Sequence, residues 1–206
     1  MATDVSDEVY RTAIMVSGST CSGKNVVAGW ASENGFAVYE MGLVVREYWP
    51  AANQGHGLTE AQIRDHLRIK RPNGTFGAPL GVLHFLYRHM SGNPKPTKDG
   101  IVFIIDVVSP EEREAVTARH HGAYGIAVHC TQTDQLARIE LRRQKTGRVT
   151  DLEKRLRWEQ SMRLEEVMAS AHLRLASAGT SEEHLENFKK SVGAEMQKFL
   201  QNISKK

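Results

Sequence analysis

Apolar residues in this chain fall into short continuous runs, separated by stretches with helical spacing. Residues 12–17, with Ala13-Ile14-Met15-Val16 at their centre, read as a first strand, and 24–34 as a first helix ended by Gly35. Residues 36–40 read as a short second strand. A helix over 42–48 is broken by Trp49-Pro50, since proline disfavours helical geometry in the residue before it. After a loop rich in Asn, Gln and Gly, Thr59-Glu60-Ala61-Gln62 forms a capping box for a helix to about Lys70. Residues 71–79 are loop, with Asn73-Gly74 as a turn signal, 80–90 carry helical spacing, and 91–100 form a Gly- and Pro-containing connection.

The run Ile101-Val102-Phe103-Ile104-Ile105 has no polar alternation, as expected of a strand covered on both faces. Ser109-Pro110-Glu111-Glu112 caps the next helix, with proline at its first position and Gly122 expected at its end. Residues 124–130 read as a fourth strand and 133 to about 145 as helix, followed by a break at 146–149. Thr150-Asp151-Leu152-Glu153 starts a long helix to about Ala169, 173–176 form a weak fifth strand, and Thr180-Ser181-Glu182-Glu183 caps a terminal helix. Strands alternating with helices predict an α/β fold: a five-stranded parallel sheet with helices on both faces.

Composition narrows the class. The 206 residues suit one domain with a full core, and 40% hydrophobic with 25% charged residues is ordinary for a globular protein. No apolar run approaches the roughly 18 to 20 residues that span a bilayer, so no membrane is expected as a partner. The acidic, polar first residues, 1–8, do not resemble a secretory signal. Cys21 and Cys130 give neither a disulfide framework nor metal spacing, and the expected compartment is the cytoplasm. The net charge is only +3, but cations cluster: Arg138, Arg142, Arg143, Lys145, Arg148, Lys154, Arg155 and Arg157 in one segment, Arg64, Arg68, Lys70 and Arg71 in another. Such clusters suit phosphate-rich ligands, small or polymeric; for any one member a solvated helix face is the better reading.

The sharpest chemical signal is the link between the first strand and first helix. Gly18, Gly23 and Lys24 fit the Walker A spacing G-x-x-x-x-G-K, with Asn25 where Ser or Thr is usual. Gly18, Ser19, Thr20, Cys21, Ser22, Gly23, Lys24 and Asn25 would form a phosphate cradle of inward-pointing amides beside a positive helix end. Lys24 would reach the β- and γ-phosphates.

The layout resembles the P-loop nucleotide kinases of the adenylate kinase and dephospho-CoA kinase type, over nearly the whole chain. The likeness rests on Ser17 to Lys24, on Gly42-Leu43-Val44-Val45-Arg46 beside the relatives' Gly-Asp-x-x-Arg, on Ile104-Ile105-Asp106 as a Walker B strand end, and on Arg138 to Arg148 as an arginine-bearing lid. It implies one kinase domain over 1–206, an acceptor-binding helical section at about 42–99, and a lid at about 138–150. It also implies ATP and Mg²⁺ as cofactors. Arg138, with the phosphate loop, would bind the donor, while Arg142 and Arg148 would stabilise the transferring group as the lid excludes water. Arg46 would bind the acceptor, and Asn25 and Asp106 would serve the metal. Asp106 has two further readings, as general base or as a cap on the following turn. Leu43 replaces the relatives' acceptor-contacting Asp.

The function implied is an ATP-dependent phosphotransferase acting on a hydroxyl or phosphate of a nucleotide-like small molecule. An alternative acceptor is DNA, as in the phage kinases of 5-hydroxymethyluracil bases, which the basic segments would suit; a regulatory P-loop ATPase is a third reading. Among other residues, His56, His84 and His89 could line an acceptor pocket, and Trp49, Phe76, Phe85 or Tyr87 could stack on a base, though core packing explains them as well. His120 and His121, at a helix end, fit a favourable dipole interaction. Trp158 and Met162, four apart, read as packing.

Overall fold

The computed structural model describes residues 10–43, 79–147 and 149–205. Among them, five strands, β1 (Thr12–Gly18), β2 (Ala37–Glu40), β3 (Ile101–Ile105), β4 (Gly122–His129) and β5 (Leu173–Ala176), form one parallel sheet in the order β2-β3-β1-β4-β5. The helices are α1 (Lys24–Glu33), α2 (Pro79–Gly92), α3 (Pro110–Arg119), α4 (Gln132–Thr146), α5 (Leu152–Ser161), α6 (Leu164–Ala169) and α7 (Glu182–Ile203). The expected fold class is the one found.

Side-chain alternation along the strands explains the layers. On β1, Ala13 and Met15 point to one face, where Leu83, Leu86 and Met90 of α2, Val116 of α3 and Val167 of α6 cover them. Ile14 and Val16 point to the other, against Val27, Ala28 and Ala31 of α1 and Phe188, Val192 and Met196 of α7. Every residue of β3 is buried, which is why that strand shows no polar alternation. At about 1.5–3 kcal/mol for each large apolar side chain taken from water, these two layers dominate the stability of the sheet that carries the site.

Three expectations shift. The long helix expected from 150 to 169 is two helices, because Arg163 adopts a left-handed φ of 58° and turns the chain between α5 and α6. Its guanidinium is held there by Glu166 and Glu111. Gly122 opens β4 instead of ending α3, pairing with Thr12 of β1. His120 does stand at the end of α3, as expected, but it is buried, its Nδ1 2.9 Å from the Tyr10 carbonyl and its Nε2 3.1 Å from the Tyr87 hydroxyl, so these contacts also join α3 to the first strand's entry. Trp158 and Met162 pack in one cluster, as read. Of the helix expected at 42–48, residues 42 and 43 are helical and the rest lies outside the described residues. The helix expected at 59–70, residues 71–78 of the loop expected at 71–79, Arg46, Trp49, His56, Phe76 and Arg148, and the side chains of His84 and Phe85 lie outside them too. Pro79, expected to end that loop, begins α2.

Candidate active site

The loop after β1 is shaped by its backbone. A Cβ on Gly18 would lie 2.5 Å from both Ser22 Oγ and the Val128 carbonyl, so only glycine lets the loop fold back on β4. Cys21 (φ 60°) and Gly23 (φ 106°) take left-handed conformations that turn the chain into α1. Helices α3, α4, α5 and α7 each begin on a side-chain cap, from Ser109, Thr131, Asp151 and Ser181. Helix α1 begins on Gly23, which supplies none, and its first turn holds no acidic residue. Among the described residues no capping carboxylate or hydroxyl satisfies the first N–H groups of α1, which is the condition for receiving an anion.

Lys24 is 8% exposed and folds back over this loop. Its Nζ donates to the carbonyls of Gly18 (2.8 Å) and Ser19 (2.9 Å), and lies 3.4 Å from Asp106 Oδ1. Asp106 follows β3 in a left-handed conformation (φ 71°), its N–H bonded to Val16. The next turn is fixed from both sides. Ser17 Oγ donates to the Val107 carbonyl, and the buried Glu112 carboxylate of α3 accepts from the N–H groups of Val108 and Ser109. A non-glycine residue held in that region is locally strained, and the strain is sustained because its surroundings leave no alternative.

A cavity of about 410 Å³ opens beside this pair, lined by residues 20–25 of the loop and by Glu40, Asp106, Arg142, Thr150 and Arg155. It collects Lys24, Asn25, Asp106 and Arg142, all singled out by the sequence. Arg142 is exposed on α4, and its guanidinium makes no hydrogen bond or ion pair among the described residues. The same holds for the side chains of Asn25 and of Glu40, the last residue of β2 and half-buried.

Arg138 sits elsewhere. It lines a neighbouring cavity of about 210 Å³ with Cys21, Gly23, Val26, Ser177, Gly179, His184, Leu185 and Phe188. Its guanidinium donates to the carbonyls of Gly179 (3.1 and 2.8 Å) and Cys21 (3.1 Å). Asp134 accepts the Gly179 N–H at 3.0 Å; the Thr131 hydroxyl first, then that N–H and Arg138, hold its carboxyl below the usual range. Ser19 Oγ lies against Cys130 Sγ, whose thiol is pushed up by burial.

Sequence reading missed Glu40, Arg155 and Glu159. Glu40 carried the signal that singled out Asp106, an acidic residue ending an apolar strand. Arg155 was one cation among eight. Glu159 gave no signal, because Arg155 and Glu159 at i,i+4 look like a solvated pair; in the structure Glu159 is 5% exposed.

No family of known sequences matches the chain. No curated protein matches it either. Solved structures do. TT1252 from Thermus thermophilus is 19% identical, over 90% of this chain and 98% of its own, with a TM-score of 0.53. A gluconokinase from Sinorhizobium meliloti 1021 is 14% identical over 95% and 97%, with a TM-score of 0.53. Shikimate kinase from Bacteroides thetaiotaomicron is 10% identical over 92% and 98%, with a TM-score of 0.54. The likeness is one of fold. It places the five-stranded sheet among P-loop kinase-like α/β folds. No helix among the described residues is long and apolar enough to cross a membrane.

Proposed function

We propose that this chain is an ATP-dependent kinase that transfers a phosphoryl group to a hydroxyl of a nucleotide-like small molecule. The observation that carries the reading is the convergence in one cavity of Lys24, Arg142 and Arg155 with the carboxylates of Asp106 and Glu40. Phosphoryl transfer needs positive charge around the moving group and little covalent help, which the three cations provide. A hydroxyl acceptor needs a proton acceptor, which a phosphate acceptor does not. Glu40 suits that role better than Asp106, since Asp106 is already paired with Lys24.

In this reading the loop amides and Lys24 hold the triphosphate, and the neighbouring cavity beside Arg138 takes the base. The acceptor oxygen bonds to the γ-phosphorus as the bond to the β–γ bridging oxygen breaks; ADP leaves, and the hydroxyl proton passes to Glu40. Asn25 and Asp106 offer oxygen ligands that fit Mg²⁺ and would hold it in this cavity, leaving Glu40 for the proton. That ion would neutralise charge on the phosphates. The whole chain acts as one domain, in which residues 42–99, Arg46 among them, receive the acceptor, and 138–150, with Arg142 and Arg148, close over the donor.

Incubation with γ-labelled ATP and a panel of nucleosides, nucleotides, sugar acids and dephospho-CoA tests the reading. Label on a hydroxyl supports it; free phosphate alone across the panel overturns it in favour of an ATPase. A second reading keeps the chemistry with a hydroxymethylated base in DNA as acceptor. Exposed Arg142, Lys145 and Lys154, on the helices flanking the cavity, favour it. Label in hydroxymethyluracil DNA, with binding that falls steeply as salt rises, would select it.

A further inference from the structure

Glu159 is a carboxylate that grips the phosphate loop from outside the cavity. Its Oε1 accepts the Thr20 N–H at 2.8 Å and the Thr20 hydroxyl at 2.9 Å. The same oxygen lies 3.2 Å from Arg155 Nε, which also donates to Thr20 Oγ1 at 2.7 Å. On the far side of the residue, Gln135 Nε2 of α4 donates to the Thr20 carbonyl at 2.9 Å. Every polar group of Thr20 is thus held by α4 or α5. Arg155 in turn packs its guanidinium 4.1 Å from the Trp158 ring centre and lines the cavity with Lys24 and Asp106.

A carboxylate only 5% exposed carries a desolvation cost that needs matching partners. All of its hydrogen-bond partners above belong to the loop or to a cavity cation. We propose that Glu159 is a positioning residue for phosphoryl transfer. Through Thr20 it fixes the phosphate loop to α5, and through Arg155 it aims a guanidinium into the cavity. Displacements of about 1 Å at such a site cost on the order of 100-fold in rate, so one carboxylate setting two elements has leverage. The inference rests on the kinase reading above. It adds that the helix after the lid segment, and not the loop alone, sets the donor's geometry.

The test compares Glu159→Ala, Glu159→Gln and Thr20→Val in the full-length protein, with steady-state kinetics for ATP and acceptor and a thermal unfolding curve for each. Glu159→Ala should lower kcat by about 10- to 100-fold and raise the KM for ATP several-fold, with the acceptor KM unchanged. Glu159→Gln keeps an acceptor oxygen for Thr20 but loses the charge that holds Arg155, and should fall between the two. Thr20→Val should have little further effect in the Glu159→Ala background, because the two residues act as a unit. Full additivity, or kinetics of the folded variants within twofold of the parent, would overturn the proposal and leave Glu159 a purely structural group. Should Glu159→Ala not fold, Glu159→Gln and Thr20→Val decide alone by the same kinetic split. A parent protein that transfers nothing to any acceptor defeats the kinase reading instead, a result distinct from active variants.

Discussion

Two cavities beside the loop after β1 use their polar groups in opposite ways. At the cavity beside Arg138 almost everything is spent internally: Arg138 on Gly179 and Cys21, Gly179 N–H on Asp134, Asp134 on Thr131, Ser181 on His184. At the cavity beside Lys24, Asn25, Glu40 and Arg142 carry side chains without partners among the described residues. A self-satisfied wall selects by shape and apolar contact, and is ready before a ligand arrives. A wall with unspent charge gains most when a ligand brings its own, which suits the place where charge moves.

The largest way to break this contrast is Lys24→Ala. Removing the ammonium should lower transfer by about 1,000-fold or more, since it takes away a charge aimed at the moving group. The fold should survive, because β1 and α1 are held by the apolar layers and not by Nζ; circular dichroism beside the kinetic assay checks both halves. Next comes the carboxylate pair. Glu40→Gln should lower kcat by about 100- to 10,000-fold, the range for a general base, with ATP affinity nearly unchanged. Asp106→Asn should instead shift the dependence on Mg²⁺. A reversal of those two signatures would return the proton to Asp106.

How much of this was legible beforehand follows from the kind of signal each residue left. The sheet and its covering helices were readable because burial writes period and run length into the sequence. Ile101 to Ile105 could hardly be anything but a central strand. The loop after β1 was readable because Gly18 has no room for a Cβ and Gly23 needs a left-handed turn, constraints that fix residue type at fixed spacing. The break at Arg163 was not, since a left-handed arginine leaves no compositional trace. Glu159 was invisible because its burial comes from the loop packing over α5, a contact between residues 139 apart in sequence. Sequence spacing also grouped Arg138 with Arg142, although one helical turn sends them into different cavities.

That last pair sharpens the contrast further. Arg142→Ala should lower kcat by about 10- to 100-fold and leave the unfolding midpoint in place, because the guanidinium bonds to none of the described residues. Arg138→Ala should do the reverse. It orphans the Gly179 and Cys21 carbonyls, costing about 1–3 kcal/mol and lowering the midpoint by several degrees for a chain of this length. Its effect on kinetics should appear chiefly in the KM for ATP. Equal loss of kcat in both variants would show that the two cavities do not divide the work in this way.

The smallest effect is the strictest test. Arg143 is the sequence neighbour of Arg142 and carries the same charge on the same helix. Yet Arg143 binds both oxygens of Glu140, at 2.8 and 2.7 Å. Those bonds, with a smaller share from Gln144, hold the Glu140 carboxyl down at about 2. Both partners are half exposed, so the pair is screened by water and salt, and Arg143→Ala should move the unfolding midpoint by less than about 2 °C. Activity should stay within twofold of the parent. If Arg143→Ala instead costs as much rate as Arg142→Ala, what matters on α4 is its summed charge. A diffuse basic face would then replace a directed guanidinium, and the polymer acceptor would gain ground over the small one.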